Sequence, residues 1–138
     1  MTTEELIAVA HAHAAAEARD DFETTMATLD DDPRYELLPI GLAFRGRDAA
    51  CVYYEHFFAN VKPRVAGYEL RNEWVNDAGL AQEYVIDVRR PDGGVDRHPV
   101  LSILTFGTAA LSGERLYASE TLLRFLFGPA FDRATPLG

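Results

Sequence analysis

The sequence has a single cysteine, Cys51, and few basic residues. One cysteine excludes an internal disulfide and a thiolate metal cluster. The 13 Lys and Arg are scattered and outnumbered by 22 Asp and Glu, giving a net charge of −9. This excludes the basic patch that nucleic-acid binding needs. No apolar run is long enough to span a membrane, and the opening MTTEEL lacks the basic and apolar segments of a secretion signal. We therefore expect a cytoplasmic protein with no nucleic-acid or membrane partner.

The N-terminal half is patterned as helices around one extended segment. Thr2 and Glu5 form a capping box that begins the first helix, and Asp20 and Asp21 precede a second, short helix. Pro33 disfavours helical geometry just after "DDD" and so ends that helix. The predicted elements are a helix EELIAVAHAHAAAEAR, a helix DFETTMATL, an extended segment RYELLPIGLAFRG (34–46) and a helix RDAACVYYEHFFANV (47–61).

The C-terminal half is patterned as strands with short turns between them. The predicted strands are VAGYELRNEWVND, LAQEYVIDVRR, HPVLSILTFG and RLYASETLLRF. Short turns make consecutive strands neighbours, so the four form one contiguous antiparallel sheet. With 138 residues and 48% hydrophobic composition, the chain suits one α+β domain over residues 1–138, with helices on one face of the sheet.

One strand is apolar on both faces, which bears on the oligomeric state. Along HPVLSILTF, Val100 and Leu104 share one face while Leu101 and Ile103 share the other. An antiparallel strand of this kind is covered on both sides. Helices supply one cover, and we expect a partner subunit, in a homodimer, to supply the other.

Two acids stand among apolar strand residues. Asp87 alternates with Tyr84, Ile86 and Val88, and it faces either water or an enclosed space behind the helices. Glu120 lies near the centre of the last predicted strand. In an apolar cavity the two would have raised pKa values and act as an acid–base pair for proton transfer. The alternative is that Glu120 pairs with an arginine, Arg89 or Arg124, at the rim of the sheet.

His13 lies on the apolar stripe of the first helix, with Glu17 one turn further on. It is either a structural histidine bonded to Glu17 or a group that polarises a carbonyl and moves a proton. The histidines lack metal-ligand spacing and the chain has no phosphate loop or dinucleotide motif, so we predict no metal and no cofactor. Aromatic residues of the third helix and first long strand, Tyr54, Phe58 and Trp74, are candidates to line a pocket for a flat polycyclic or terpenoid ligand.

The segment YELLPIGLAFRGRDAA, followed by a meander ending in ERLYASETLLRF, resembles the SnoaL-like branch of the nuclear-transport-factor-2-like superfamily. The resemblance covers nearly the whole chain. It implies a cone-shaped α+β fold, also found in cystatin-like proteins, in which a strongly curved sheet wraps around three helices and leaves a deep apolar pocket. It also implies homodimers formed through the outer face of the sheet.

Known activities in this superfamily include polyketide cyclisation, limonene-epoxide hydrolysis, ketosteroid isomerisation and dehydration. Against the epoxide hydrolases, Tyr35 corresponds to a pocket tyrosine, Glu120 to a catalytic aspartate, and Asp87 to a second aspartate within two residues. The expected arginine is absent at Val85 and the expected asparagine is Leu37. Against the ketosteroid isomerases, the oxyanion tyrosine falls at His13 and the protonated aspartate at Ser102, so that activity is not expected.

These observations predict cofactor-independent acid–base chemistry, of cyclase, isomerase or hydrolase type, on a small hydrophobic molecule. The candidate catalytic residues are Glu120, Asp87, His13 and Tyr35. The candidate ligand-binding residues are Trp74, Tyr54, Phe58, Leu37, Ser102 and Val85. Two alternatives remain open: a non-catalytic module of the same fold that binds a hydrophobic small molecule, and a structural dimerisation partner for another protein.

Overall fold

The computed structural model describes residues 1–137. Within that range the chain forms four α-helices and seven strands. The helices are α1 (Thr3–Ala18), α2 (Phe22–Ala27), α3 (Arg47–His56) and α4 (Glu120–Phe127). The strands are β1 (Leu29–Leu38), β2 (Leu42–Arg45), β3 (Val65–Asn76), β4 (Gly79–Arg89), β5 (Val95–Phe106), β6 (Leu111–Tyr117) and β7 (Thr135–Pro136).

The strands form one curved, unclosed sheet in the order β3-β4-β5-β6-β1-β2-β7. The predicted α+β architecture is confirmed, as is the contiguous meander from β3 to β6. The N-terminal extended segment adds a hairpin, β1–β2, on the far side of β6. The pair β1–β6 is parallel, so the sheet is mixed rather than purely antiparallel.

Two boundaries differ from the sequence prediction. The second helix ends at Ala27, and the residues Asp30 to Pro33, predicted to follow it as a break, lie inside β1. The last of the predicted strands is β6, which begins at Leu111 and ends at Tyr117, and the residues Glu120–Phe127 after it form α4. Ser119 begins that helix, since its hydroxyl accepts a hydrogen bond from the backbone N–H of Leu122.

The helices pack on the inner face of the sheet, where alternate residues of β4, β5 and β6 are buried. Register fixes this face: Leu80 lies opposite Leu104, and Leu104 lies opposite Glu114. α1 begins with the predicted capping box of Thr2 and Glu5. No helix among residues 1–137 is long and apolar enough to cross a membrane.

The segment Gly46-Arg47 joins β2 to α3 and fixes the position of three elements. Gly46 has a φ of 98°, a left-handed value that favours glycine. The Arg47 guanidinium donates to the backbone carbonyls of Leu29, Asp30 and Met26 at 3.1 to 3.2 Å. One side chain thus ties α3 to the end of α2 and the start of β1.

We expect Arg47→Met to lower the free energy of unfolding by about 2–4 kcal/mol, because three carbonyl groups lose a charged donor. Arg45→Met is the matched control. Arg45 is exposed and pairs with Asp32 at the surface, so its loss should cost at most about 1 kcal/mol. Urea unfolding followed by circular dichroism measures both values. Equal losses in the two variants would contradict this role for Arg47.

Candidate functional site

A cavity of about 460 Å³ lies between α1 and the inner face of the sheet. α1 contributes small side chains, Ala14, Ala15 and Ala18, which leave the space between helix and sheet unfilled. Lys62 lies at one end, where its ammonium donates to the carbonyl oxygens of Glu17 and Ala18 at the end of α1. The remaining lining residues are mostly apolar or aromatic: His13, Glu17, Tyr53, Phe57, Val65, Tyr68, Gln82, Tyr84, Ile86, Ser102, Leu104, Glu114, Leu116 and Leu126.

A buried carboxyl group, that of Glu114, faces this cavity from β6. The residue is only 7% exposed and lies between Leu116 on its own strand and Leu104 across the sheet. Ser102 donates a hydrogen bond to Glu114 Oε1 at 2.9 Å. Burial, and next the negative charge of Glu17, raise the pKa of Glu114 to about 7, against the opposing effects of His13 and Ser102. Both protonation states are therefore populated near neutral pH.

His13 is held by hydrogen bonds on both ring nitrogens. Nδ1 lies 2.7 Å from Thr28 Oγ1, and that hydroxyl gives its own hydrogen to the carbonyl of Thr25. Nδ1 must therefore carry a hydrogen and donate it to Thr28. Nε2 lies 2.6 Å from Glu17 Oε1.

The charge state of His13 follows from these contacts. Burial lowers the pKa of the imidazole, but the charge of Glu17 and the hydrogen bond to it outweigh burial, so the pKa of His13 is raised. Because Nδ1 already carries a hydrogen, a hydrogen bond from Nε2 to Glu17 makes the pair an imidazolium facing a carboxylate at the wall of the cavity. The negative charge of Glu114 also raises the pKa of His13.

Two tyrosines extend this network away from the cavity. The Tyr54 hydroxyl lies 3.1 Å from His13 Nε2 and 2.7 Å from the Tyr35 hydroxyl. Both side chains are fully buried, and burial raises both pKa values well above 10, so the hydroxyls stay neutral. Neither tyrosine lines the cavity. Tyr35, predicted to orient a ligand, is instead separated from the cavity, and its hydroxyl is connected to the cavity wall through Tyr54 and His13.

Glu120 is not part of the site. It lies in the first turn of α4, is exposed, and pairs with Arg124 at 3.1 Å. The chain leaves the sheet after Tyr117, so the position that seemed central on a strand is at a helix start. The alternative interpretation, pairing with Arg124, describes its contact.

Asp87 and Val85 face away from the cavity. Tyr84 and Ile86 line it, and alternation places the residues between them on the outer face of β4. Asp87 there accepts a hydrogen bond from Arg97 at 3.1 Å. The predicted pair of Asp87 with Glu120 therefore does not exist.

Most of the predicted ligand-binding residues also lie elsewhere. Trp74 is 54% exposed. It lies opposite Ala81 on the outer face, because a bulge between Leu70 and Asn72 reverses the facing of later β3 residues. Leu37 is fully buried in the core, and Phe58 packs beside the core while its neighbour Phe57 reaches the cavity. Of the predicted residues, the cavity lining includes His13 and Ser102.

The sequence did carry a signal for Glu114 that the prediction missed. Gly113 precedes it within β6, where a Cβ would meet the backbone oxygen of Arg34 at 1.8 Å. Glycine inside a strand often marks such a close approach or a bulge. Treating Gly113 as part of the strand rather than of the turn places Glu114 and Leu116 on one face.

Comparison with known proteins supports the fold. No family model matches the chain, and a search of curated proteins gives no match. An NTF2-like protein of unknown function from Burkholderia xenovorans shares 23% identity, with 84% of each chain covered and a TM-score of 0.63.

Two further solved structures have activities or folds in their names. A protein named as a candidate polyketide cyclase, from Xanthomonas campestris, shares 16% identity over 91% of this chain and 98% of its own, with a TM-score of 0.63. A hypothetical protein with a ketosteroid isomerase-like fold, from Catenulispora acidiphila, shares 16% identity over 95% of this chain and 98% of its own, with a TM-score of 0.62. At these identities the likeness is one of fold, and this chain has the NTF2-like fold.

Proposed function

We propose that the protein catalyses proton transfer on a small hydrophobic molecule bound in the cavity, with Glu114 as the acid–base group. The observation that carries this proposal is a buried carboxyl group with a pKa of about 7 facing an otherwise largely apolar cavity. A group with its pKa near the working pH serves equally as base and as acid. Glu114 takes the place that the sequence prediction gave to Glu120.

The chemistry needs only side chains. The Glu114 carboxylate removes a proton from a carbon atom of the ligand, and the resulting carboxylic acid returns a proton at another position. The His13 imidazolium, held by Glu17 at 2.6 Å, contributes positive charge near the carboxylate and favours its ionised form. An isomerisation, an aldol-type ring closure or a dehydration proceeds this way without a cofactor.

Substituting Glu114 by Gln should abolish proton removal from an apolar carbon acid. The probe is 5-nitrobenzisoxazole, whose ring opens to an absorbing phenolate when a base removes one carbon-bound proton. We expect the wild type to open it faster than buffer, with a rate that rises with pH through about 7 as Glu114 ionises. E114Q should lose about 100-fold or more, the usual contribution of a positioned base.

The matched control is E120Q, which makes the same chemical change at an exposed carboxylate outside the cavity. Its rate should equal that of the wild type. If E114Q opens the ring as fast as E120Q, Glu114 is not the base. A wild-type rate no higher than that of free acetate at equal concentration would also contradict the proposal.

The alternative, a module that binds without turnover, is favoured by the apolar lining and uses the same cavity. In either case we expect Ala14→Phe to fill the space beside His13 and abolish binding of the neutral dye Nile red. Ala12→Phe is the matched control, because Ala12 is exposed on the same helix and does not line the cavity. Dye fluorescence measures both. Binding that survives in A14F would place the dye site elsewhere.

We also propose that the protein is a homodimer through the outer face of the sheet. Trp74, Ala81 and Ile103 form a cross-strand row there that ends at Arg115, and the helices lie on the opposite face. Glu83 in the adjacent row supplies the opposite charge, so this face is complementary to a second copy related by a two-fold axis.

Light scattering tests the dimer. The wild type should have twice the 15.3 kDa mass of the chain, and Ile103→Glu should reduce it to a single chain by placing a charge in the interface. Arg90→Glu, on the turn after β4, should leave the mass unchanged. A wild type that stays at 15.3 kDa at micromolar concentration would reject this interface.

A further inference from the structure

The cavity wall includes two tyrosine hydroxyl groups, those of Tyr53 and Tyr84, that hydrogen-bond to no described residue. Tyr53 is only 4% exposed and Tyr84 is half-buried, yet both line the cavity. Within residues 1–137, every side-chain oxygen atom that is fully buried has a hydrogen-bond partner. The oxygens of Tyr53 and Tyr84 are therefore open to the cavity. Phenol O–H groups in such positions require an acceptor, which a bound molecule can provide.

The two tyrosines come from different elements, α3 and β4, and are held by packing. Tyr53, on α3, stacks against Phe127 with ring centroids 4.3 Å apart and lies 4.5 Å from Tyr54. Tyr84, on β4, lies 5.0 Å from Tyr68. Rings fixed in this way present their hydroxyl groups in defined positions, which lowers the entropy cost of binding.

Both groups remain hydrogen-bond donors at any ordinary pH. Burial, and next the charge of Glu114, raise the pKa of Tyr53 and of Tyr84 well above 10. Glu114 lines the same cavity as the two tyrosines.

Of the other neutral polar groups of the wall, Tyr68 is 56% exposed to solvent, and Ser102 and Gln82 already have partners. Ser102 donates to Glu114 at 2.9 Å, and the Gln82 amide donates to Glu73 at 2.8 Å. Tyr53 and Tyr84 are thus the buried neutral donors of the described wall that await an acceptor from the ligand.

We propose that Tyr53 and Tyr84 hydrogen-bond the carbonyl oxygen of the ligand, so that the substrate of this site is an apolar ketone or aldehyde. This inference rests on the proposed function of Glu114 and names its substrate class. An alkene or other hydrocarbon would leave both hydroxyls unpaired.

The reaction step balances without any further reagent. The Glu114 carboxylate takes a proton from the carbon beside the carbonyl, and the C–H electron pair forms a C=C bond. The carbonyl π pair moves onto oxygen, giving an enolate that accepts the two phenol hydrogen bonds. The proton on Glu114 then returns to the oxygen, giving the enol, or, where the ligand has a C=C bond conjugated with the enolate, to the remote carbon of that bond, which isomerises the ligand. Donors that bind oxygen more strongly as its charge develops accelerate such a step.

Two probes of nearly equal shape test this inference, 2-acetylnaphthalene and 2-isopropenylnaphthalene, which differ in having oxygen or CH₂ at one position. The wild type should bind the ketone about tenfold more tightly, as expected for about 1.4 kcal/mol of net hydrogen bonding. The double variant Y53F/Y84F should bind both equally, and its affinity for the alkene should match the wild type. The infrared carbonyl stretch of the bound ketone should rise in the double variant, because the hydrogen bonds are lost.

Tyr117→Phe is the matched control, since its hydroxyl accepts from Arg115 on the outer face; it should keep the preference for the ketone. A preference that persists in Y53F/Y84F, or is absent from the wild type, overturns the inference. E114Q separates this result from the proposed function. E114Q should retain the preference for the ketone while losing ring opening of 5-nitrobenzisoxazole. If Y53F/Y84F loses the preference but E114Q still opens the ring, only the assignment of Glu114 as the base is wrong.

Discussion

The hydrogen bonds of His13 to Thr28 and Tyr54 determine the position of α1, and the cavity depends on that position. Leu6 and Ala10 bury the N-terminal half of α1, but its C-terminal half lines the cavity with Ala14 and Ala18, which bury too little apolar area to hold that half firmly. His13 supplies the missing attachment, because its ring bonds Thr28 through Nδ1 while Nε2 faces Glu17 and Tyr54. The buried imidazole thus joins α1 to the end of α2 and to α3. The helix is fixed at a distance from the sheet that its own small side chains cannot fill.

The contact between His13 and Glu17 sets the electrostatics of the cavity. Glu17 and Glu114 are two acids near a single imidazolium, so one negative charge remains without a full partner. Glu17 lies directly on His13 and is partly exposed, while Glu114 is buried and bonded only to neutral Ser102. Burial and the unbalanced charge therefore raise the pKa of Glu114, which keeps its proton up to about pH 7. Two carboxyl groups with different surroundings acquire different roles.

The sequence predicted the architecture better than the site, for a physical reason. Helix starts and turns are local signals: the capping box at Thr2 and the short turns between the C-terminal strands were both readable. The side chains of a strand alternate between the two faces of the sheet, so a single bulge reverses the face assigned to every residue after it. The bulge in β3 moved Trp74 to the outer face, and Gly113 concealed the start of β6. Ser119, a helix-capping residue, was counted within a strand, which made Glu120 look buried. The burial of Glu114 and the presence of Tyr53 and Tyr84 in the wall of one cavity arise from packing of distant segments, which no spacing in the sequence records.

The raised pKa of the buried Glu114 carboxyl group lowers the stability of the folded protein at neutral pH. A carboxyl group whose pKa rises from 4.5 to about 7 on folding keeps a proton that the unfolded chain releases. Stability is therefore undiminished below pH 4.5, falls as the pH rises to about 7, and is constant above it. The loss is about 3 kcal/mol, from 1.36 kcal/mol for each pKa unit. A neutral glutamine would avoid this loss and could still bond Ser102. Retaining an acid in so apolar a place is thus a stability deficit that packing elsewhere must offset, for example through the bonds of Arg47, and deficits of this kind are characteristic of groups that act on a ligand.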